Sequence, residues 1–562
     1  MDARPGRVMI IGLDGATLDL IRPWADAGIL PTFKRLFKDG TYGPLRSTIP
    51  PITPAAWSSF MTGVNPGKHG VFDFTMHKDD AYELNMVRST NRQAPSMWQL
   101  ASQAGRRVAV FNVPVTYPPE RVNGFMVSGL MTPPTARDAS WPPELQEELE
   151  QAVPGWGFLT EELFERGREA EYVRTMMQVN QTTYGVASHL INKAPWDLFV
   201  TVFQTPDLLS HFMWQFMETH AAGSPAPVRE VLANAMRECY RDIDAKLARL
   251  IGQAGDDAYV MLVSDHGHGR MDNYIAVNTW LLAKGYICLK RDWFTRLKYL
   301  LYRLNLTPSN FFSLVEKFKI GSKVRRVSGK RAGAVKQRLK SIFISFNDVD
   351  WSRTRAYSTG YCGPIYVNLK GRETNGIVNP GPEYEALLDQ LAADLTTLKE
   401  PGDSGLPLVG KINRGHDIYS GPFVDRAPDL VFFPRDWRYM VLGSGEFLST
   451  SWIGKSANKT GHHRMEGIFF LSGPGIKPGY SFQDASIIDV APTTLALLGV
   501  PIPKSMDGSV LEAAMTPELC ERLRIAYAGE AEFRPEYASV QDLTPEDEEI
   551  LVERLRNLGY IA

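Results

Sequence analysis

The chain has 562 residues, 44% hydrophobic and 22% charged, which is enough for a large core with insertions and two or three domains by length. Its formal net charge of -2 supplies no global field for nucleic acid, so no nucleic-acid partner is expected. Four scattered cysteines without a C-x-x-C pair argue against a thiolate metal site, and no run approaches the ~20 apolar residues of a membrane span, so the expectation is a cytoplasmic protein.

The first element is "RVMIIGLDGA", from Arg7, a short apolar run closed by Asp14 and Gly15. Such a run suits a buried parallel strand that delivers a side chain into a crevice at its C-terminal end. Next, "PPITPAAWSSFMTG" (50–63) places Thr53 before Pro54, which predicts a helix with Thr53 as N-cap and Pro54 at N1. "WDLFVTVFQTPD" (196–207), "AYVMLVSDHGHG" (258–269), "DLVFFP" (429–434) and "GIFFLSGPGI" (467–476) repeat the strand pattern. Between them, residues 228–255 carry apolar positions at helical spacing, with Gly255 as the stop. Strand-then-helix alternation implies an α/β fold, doubly wound around a mainly parallel sheet, with helices on both faces. Ligands of such sheets bind beyond the carboxyl ends of the strands.

Two stretches break the alternation. Residues 290–340 hold fifteen Lys or Arg against only Asp292 and Glu316, in an amphipathic pattern with Trp, Tyr and Phe. A solvated helical insertion, a basic lid over an anionic substrate and a peripheral contact with acidic lipid all fit this segment. The tail, from Leu543, predicts a docking helix with Thr544 as N-cap, Pro545 at N1 and Gly559 as stop. These breaks divide the chain into a first part of the catalytic core (1–285), a basic insertion (286–350), a second part of the core (351–515) and a helical tail (516–562).

Polar residues cluster where the apolar runs end. Asp14 ends the first, Asp207 ends another and is followed by His211, Asp265 and His266 end a third, and His462 and His463 stand just before a fourth. Each has an ordinary alternative as a turn, a cap or a helical i,i+4 contact. Together they form a carboxylate and imidazole set of the kind zinc or manganese accepts, with enough ligands for two divalent ions. A pair of such ions supports in-line phosphoryl displacement. Thr53 then gains a second reading, as a hydroxyl activated by a metal at a helix N-terminus that favours phosphate.

"IIGLDGA", "TPAAWSSFMTGVNPGKHG", "PDLLSH", "SDHGHG" and "GHHRMEG" occur in the order seen in the alkaline phosphatase superfamily. The chain most resembles its type I phosphodiesterase/nucleotide pyrophosphatase branch and the phosphohydrolase-or-phosphomutase group beside it, over roughly residues 7–285 and 355–515. "SIIDVAPTTLALLGVPIP" and "MDGSVL" are similar to the C-terminal core of that superfamily. The resemblance implies that Asp14, Asp265 and His266 hold one metal, with Thr53 as the nucleophile bridging toward it. It assigns Asp207, His211 and His463 to the other metal, with His462 as the alternative. It implies hydrolysis of a phosphorylated small molecule through a phosphothreonine. Phosphomutase chemistry and a non-catalytic, membrane-peripheral binding role are the alternatives. One position departs from the pattern: in "HGVFDF" Phe74 replaces the asparagine that holds a phosphate oxygen, so Arg464 or a lid cation is a substitute donor. His69 in that stretch is expected to be structural.

Overall fold

A computed structural model describes residues 6–77, 82, 84–158, 164–218, 226–308, 310, 342–402, 405–443, 445, 447, 449–456, 459–529, 535–539 and 543–558. Its centre is a nine-stranded sheet. The strands are β1 (Arg7–Leu13), β2 (Thr41–Arg46), β3 (Val108–Phe111), β4 (Gly124–Val127), β5 (Ser140–Trp141), β6 (Leu198–Phe203), β7 (Ala258–Val263), β8 (Glu466–Ser472) and β9 (Ala485–Ser486). They lie in the order β9-β2-β8-β7-β1-β6-β3-β4-β5. β1 is parallel to both β6 and β7, and β3 continues the parallel set. The expectation of an α/β fold around a mainly parallel sheet therefore holds.

Alternation along β1 shows why both faces are covered. Met9 and Ile11 enter one apolar cluster with Phe199, Leu208, Met236 and Leu247. Val8 and Ile10 enter a second with Trp57, Phe60, Val200 and Leu495. A strand whose successive side chains point to opposite faces cannot leave either face in water when all are apolar. Helices α1 (Thr53–Thr62), α2 (Thr205–Glu218) and α3 (Ala226–Ala254) supply much of that cover. Gly255 follows α3 with φ +84, the left-handed conformation expected of a stop.

Several expectations need correction. The 467–476 run forms β8, but it pairs antiparallel with both β7 and β2. The 429–434 run is outside the central sheet altogether. Leu430–Pro434 pairs antiparallel with Pro364–Val367 and Val409–Arg414 in a separate four-stranded sheet. It is buried along its whole length, and such a strand reads as a continuous apolar run whichever way its neighbours point. Asp207 does not end β6; it lies in the first turn of α2.

The base of the insertion is closed by Lys290 N donating to Asp348 O and Asp350 N donating to Cys288 O. Helix α4 (Trp293–Arg303) follows, capped by the Asp292 carboxylate, which accepts from Thr295 N at 2.9 Å. Lys323, Arg325, Arg326, Lys330 and Arg331, named for the lid, lie outside the described residues. The tail forms α5 (Pro545–Leu558). Thr544 and Asp547 make its reciprocal cap, Oγ1 accepting from Asp547 N and Oδ2 accepting from Thr544 N. Leu551 and Leu555 enter the main core, so the tail docks as expected, while Gly559 lies outside the described residues. Among the described residues no helix is long and apolar enough to cross a membrane.

Candidate active site

The site lies where β6, β1 and β7 end side by side. Asp14 follows β1 directly, Asp265 and His266 follow β7, and α2 carries Asp207 and His211 on one face, four residues apart. A two-stranded ribbon, Gly267–Arg270 against Gly461–Arg464, closes over them. In its register His268 stands opposite His463 and Gly269 opposite His462. Because side chains alternate along a strand, His463 and His462 point to opposite sides.

Two glycines permit this convergence. Gly15 has φ +65, and a Cβ there would stand 2.8 Å from Asp207 Oδ1. A Cβ on Gly461 would come within 2.0 Å of Ser210 O, so only glycine lets the ribbon approach α2 this closely.

The polar atoms face inward. Asp265 Oδ2 is 3.2 Å from His266 Nε2, and Asp14 Oδ1 is 3.9 Å from the same nitrogen. Thr53 Oγ1 lies 3.3 Å from it. Nearby, Asp207 Oδ2 is 3.3 Å from His211 Nε2, Asp207 Oδ1 is 3.4 Å from His463 Nε2, and the two imidazole nitrogens are 3.3 Å apart. Thr53, the three aspartates and these three histidines are fully buried. Trp57 Nε1 donates to Asp14 Oδ2, and Gly15 N donates to Asp265 Oδ1.

Thr53 does not cap α1. Ile52 takes the cap position with an extended backbone, Thr53 is the first helical residue, and no side chain caps this end. The threonine hydroxyl turns instead toward His266. Phe74 is fully buried and brings no polar group. Arg464 spends its guanidinium on the ribbon, with Nη1 donating to His462 O and His463 O at 2.9 Å each. His462 packs on Tyr361 and reaches Cys362 Sγ at 3.9 Å, away from the carboxylates. His69 Nδ1 accepts from Val71 N, and its Nε2 meets Ser59 Oγ at 3.0 Å. That is the structural role expected of it.

The donor set fits divalent metal. His211, His266 and His463 each set Nδ1 against a backbone carbonyl, of Gly461, Gly267 and Pro51 respectively. With Nδ1–H donating there, each Nε2 turns a lone pair toward carboxylate oxygens. Asp14 Oδ1 and Asp265 Oδ2 accept no hydrogen bond. Lone pairs facing lone pairs in a buried site are relieved by a cation, or by a proton, between them. Burial and mutual repulsion push Asp14 and Asp265 well above the usual carboxylate range. Burial acts in the same direction on Asp207, but His211, His268 and His463 around it hold it well below that range.

Two residues here escape a reading of sequence motifs. His268, fully buried, places Nδ1 3.2 Å from Asp207 Oδ1. Lys459 donates to Tyr361 Oη at 2.8 Å beside the ribbon, and burial lowers its ammonium to about 7. His268 stands between two glycines with no distinctive spacing, and nothing local marks Lys459.

Residues 8–467 match the type I phosphodiesterase/nucleotide pyrophosphatase family. The chain belongs to that family. It is a hydrolase of phosphoric esters, and the buried Asp/His cluster suits the divalent metals that such enzymes use. Among curated proteins none matches the sequence. Similar solved structures include human ectonucleotide pyrophosphatase/phosphodiesterase 5 at 14% identity, covering 90% of this chain and 98% of that one with a TM-score of 0.47. The murine protein gives 13%, 91%, 100% and 0.47. Phosphonoacetate hydrolase from Sinorhizobium meliloti 1021, in complex with phosphonoformate, gives 14%, 88%, 96% and 0.49.

Proposed function

We propose that this family member hydrolyses phosphate esters with Thr53 as the nucleophile and two divalent ions, zinc or manganese, in the Asp/His cluster. Asp14, Asp265 and His266 would hold one ion, and Asp207, His211 and His463 the other. Bound there, the ions supply Lewis-acid stabilisation to attacking and leaving oxygens. The observation that carries the reading is the Thr53 hydroxyl, buried 3.3 Å from His266 Nε2 at the edge of the carboxylate cluster.

In the first step Thr53 Oγ bonds to phosphorus, the bond to the leaving-group oxygen breaks, and the proton given up by Thr53 ends on that oxygen, which departs as the alcohol. In the second, water bonds to phosphorus and the bond to Thr53 Oγ breaks, which restores the threonine and releases the phosphate product. The sum is one ester bond cleaved and one water consumed. Residues of α1 orient the hydroxyl, since every residue of that helix is buried. A screen of chromogenic mono- and diesters with the metal-loaded enzyme tests this, read by alcohol release together with acid trapping of a phosphopeptide spanning Thr53. Transfer of the phosphoryl group to a second position of the substrate, with no phosphate product released, would favour the phosphomutase instead.

A peripheral contact with anionic lipid is a second, compatible proposal. It is supported by the orientation of α4, whose polar side faces the protein. Thr295, Lys298 and Tyr302 are buried, Lys298 Nζ reaching both Asp348 oxygens at 2.8 and 3.0 Å. Trp293, Leu297, Leu300 and Leu304 form the opposite stripe and are 75%, 44%, 55% and 65% exposed, with Arg291, Arg296 and Arg303 exposed around them. Apolar side chains flanked by arginines are complementary to an acidic lipid surface.

A further inference from the structure

The second ribbon histidine has no part in the reading above. His268 is fully buried, and neither of its ring nitrogens makes a hydrogen bond. A buried imidazole that makes no well-formed hydrogen bond is costly, so the contacts it does make identify its role. Nδ1 is 3.2 Å from Asp207 Oδ1, without the geometry of a hydrogen bond. The ring stands 4.7 Å from that of His211 and 5.4 Å from that of His463, centroid to centroid. Ligand atoms of Asp207, His266, His268 and His463 all fall within 4.8 Å of one another.

These separations have a common scale. With bonds of about 2.0–2.1 Å to zinc, the ligand atoms of a tetrahedral site stand about 3.3 Å apart. Asp207 Oδ1 lies 3.2 Å from His268 Nδ1 and 3.4 Å from His463 Nε2, while His211 Nε2 is 3.3 Å from Asp207 Oδ2 and 3.3 Å from His463 Nε2, so Asp207 would serve the ion through both of its oxygens. The ribbon explains the placement, because His268 is registered opposite His463 and shares its face.

We propose that His268 is a metal ligand through Nδ1, so that one ion has four protein ligands: Asp207, His211, His268 and His463. This rests on the two-metal reading above and extends it. A four-ligand site is closed in the manner of structural zinc, so a substrate oxygen can enter only by raising the coordination number. The other ion, held by Asp14, Asp265 and His266 beside Thr53, keeps an open position. The two ions therefore differ in retention, and the histidine-rich site gives up its metal last.

Zinc content and affinity, read by competition with a chromophoric chelator, test the assignment alongside anomalous diffraction at the zinc edge from crystals of the parent protein. The parent should hold two ions of unequal affinity, with one anomalous peak about 2.0–2.1 Å from His268 Nδ1. His268→Ala and His268→Asn should both weaken the tighter ion, by more than the ~10–100-fold that outer-sphere changes produce. His268→Asn separates a ligand from a group that only orients Asp207, since asparagine keeps an amide donor. Parent-like affinity in His268→Asn, or a peak more than 3 Å from both ring nitrogens, overturns the proposal. A variant that fails to fold leaves the anomalous map of the parent to decide. A parent that binds no ion overturns the two-metal reading itself, whereas two ions with unchanged affinity in both variants remove only His268.

Discussion

Thr53 separates two roles that the sequence left combined. Its hydroxyl caps nothing, and among the described residues it meets His266 Nε2 at 3.3 Å. Thr53→Ala should therefore lower stability by no more than the ~0.5–1.5 kcal/mol of a typical hydrogen bond. Turnover should fall by several orders of magnitude if the proposed covalent route runs through this hydroxyl. Thr53→Ser should retain part of the activity, since it keeps the oxygen while freeing its rotamer. Denaturant melts, metal analysis and kcat on the best ester from the screen check all three. A folded, metal-replete Thr53→Ala enzyme working at the parental rate would make water the attacking group. At this scale the sequence was informative where a residue type and its place in a motif suffice, as for Asp14, Asp265 and His266. It was silent on Lys459, which acquires its neighbours only through the fold, and it passed over His268 because a histidine between glycines has no distinctive spacing.

The elements divide in the same way. The β1, β6 and β7 runs were legible because a strand buried on both faces must be apolar throughout, and their polar ends marked the site edge. Strand direction was not legible, since β8 and Leu430–Pro434 show the same apolar run with antiparallel neighbours. Nor was the outward turn of α4, because helical periodicity reveals two faces without saying which meets the protein. Here the buried Lys298–Asp348 pair decides it, and removing one partner of such a pair costs about 3–5 kcal/mol. If the exposed stripe meets lipid, Trp293→Ser with Leu300→Ser should reduce co-sedimentation with anionic vesicles and leave ester hydrolysis in solution unchanged. Arg296→Gln with Arg303→Gln should weaken binding at low salt more than at high salt, as screened charges require. Parental binding in both pairs would remove α4 as the lipid contact, and equal binding to zwitterionic vesicles would remove the anionic headgroup as what is recognised. The ribbon offers a stability counterpart. Gly461→Ala drives a Cβ toward Ser210 O, so it should destabilise the protein by roughly 1–3 kcal/mol and loosen metal binding as the ribbon lifts from α2.

For the whole molecule, the fold brings together charges that it cannot hold unaided. Strands far apart in the chain, Arg7–Leu13 and Glu466–Ser472, lie in the sheet that carries one buried site with three carboxylates. Burial and repulsion among Asp14, Asp207 and Asp265 make that cluster a cost to the metal-free protein, which bound cations would convert into stabilisation. A ligand that binds only the folded state stabilises it by RT ln(1 + [L]/Kd), about 2.7 kcal/mol at 100 times Kd. Chelation should therefore lower Tm and abolish hydrolysis together, and added zinc should restore both in a concentration-dependent way. Asp265→Asn sharpens the test because its two effects have opposite sign. It removes one buried charge, keeps an Oδ1 acceptor for Gly15 N, and offers an amide hydrogen to His266 Nε2, whose lone pair faces Oδ2 in the parent. The metal-free variant should melt above the metal-free parent, yet gain little from zinc and hydrolyse esters poorly. An Asp265→Asn protein that melts below the metal-free parent would show that the carboxylate stabilises the fold without metal, and the acidic cluster would then be structural.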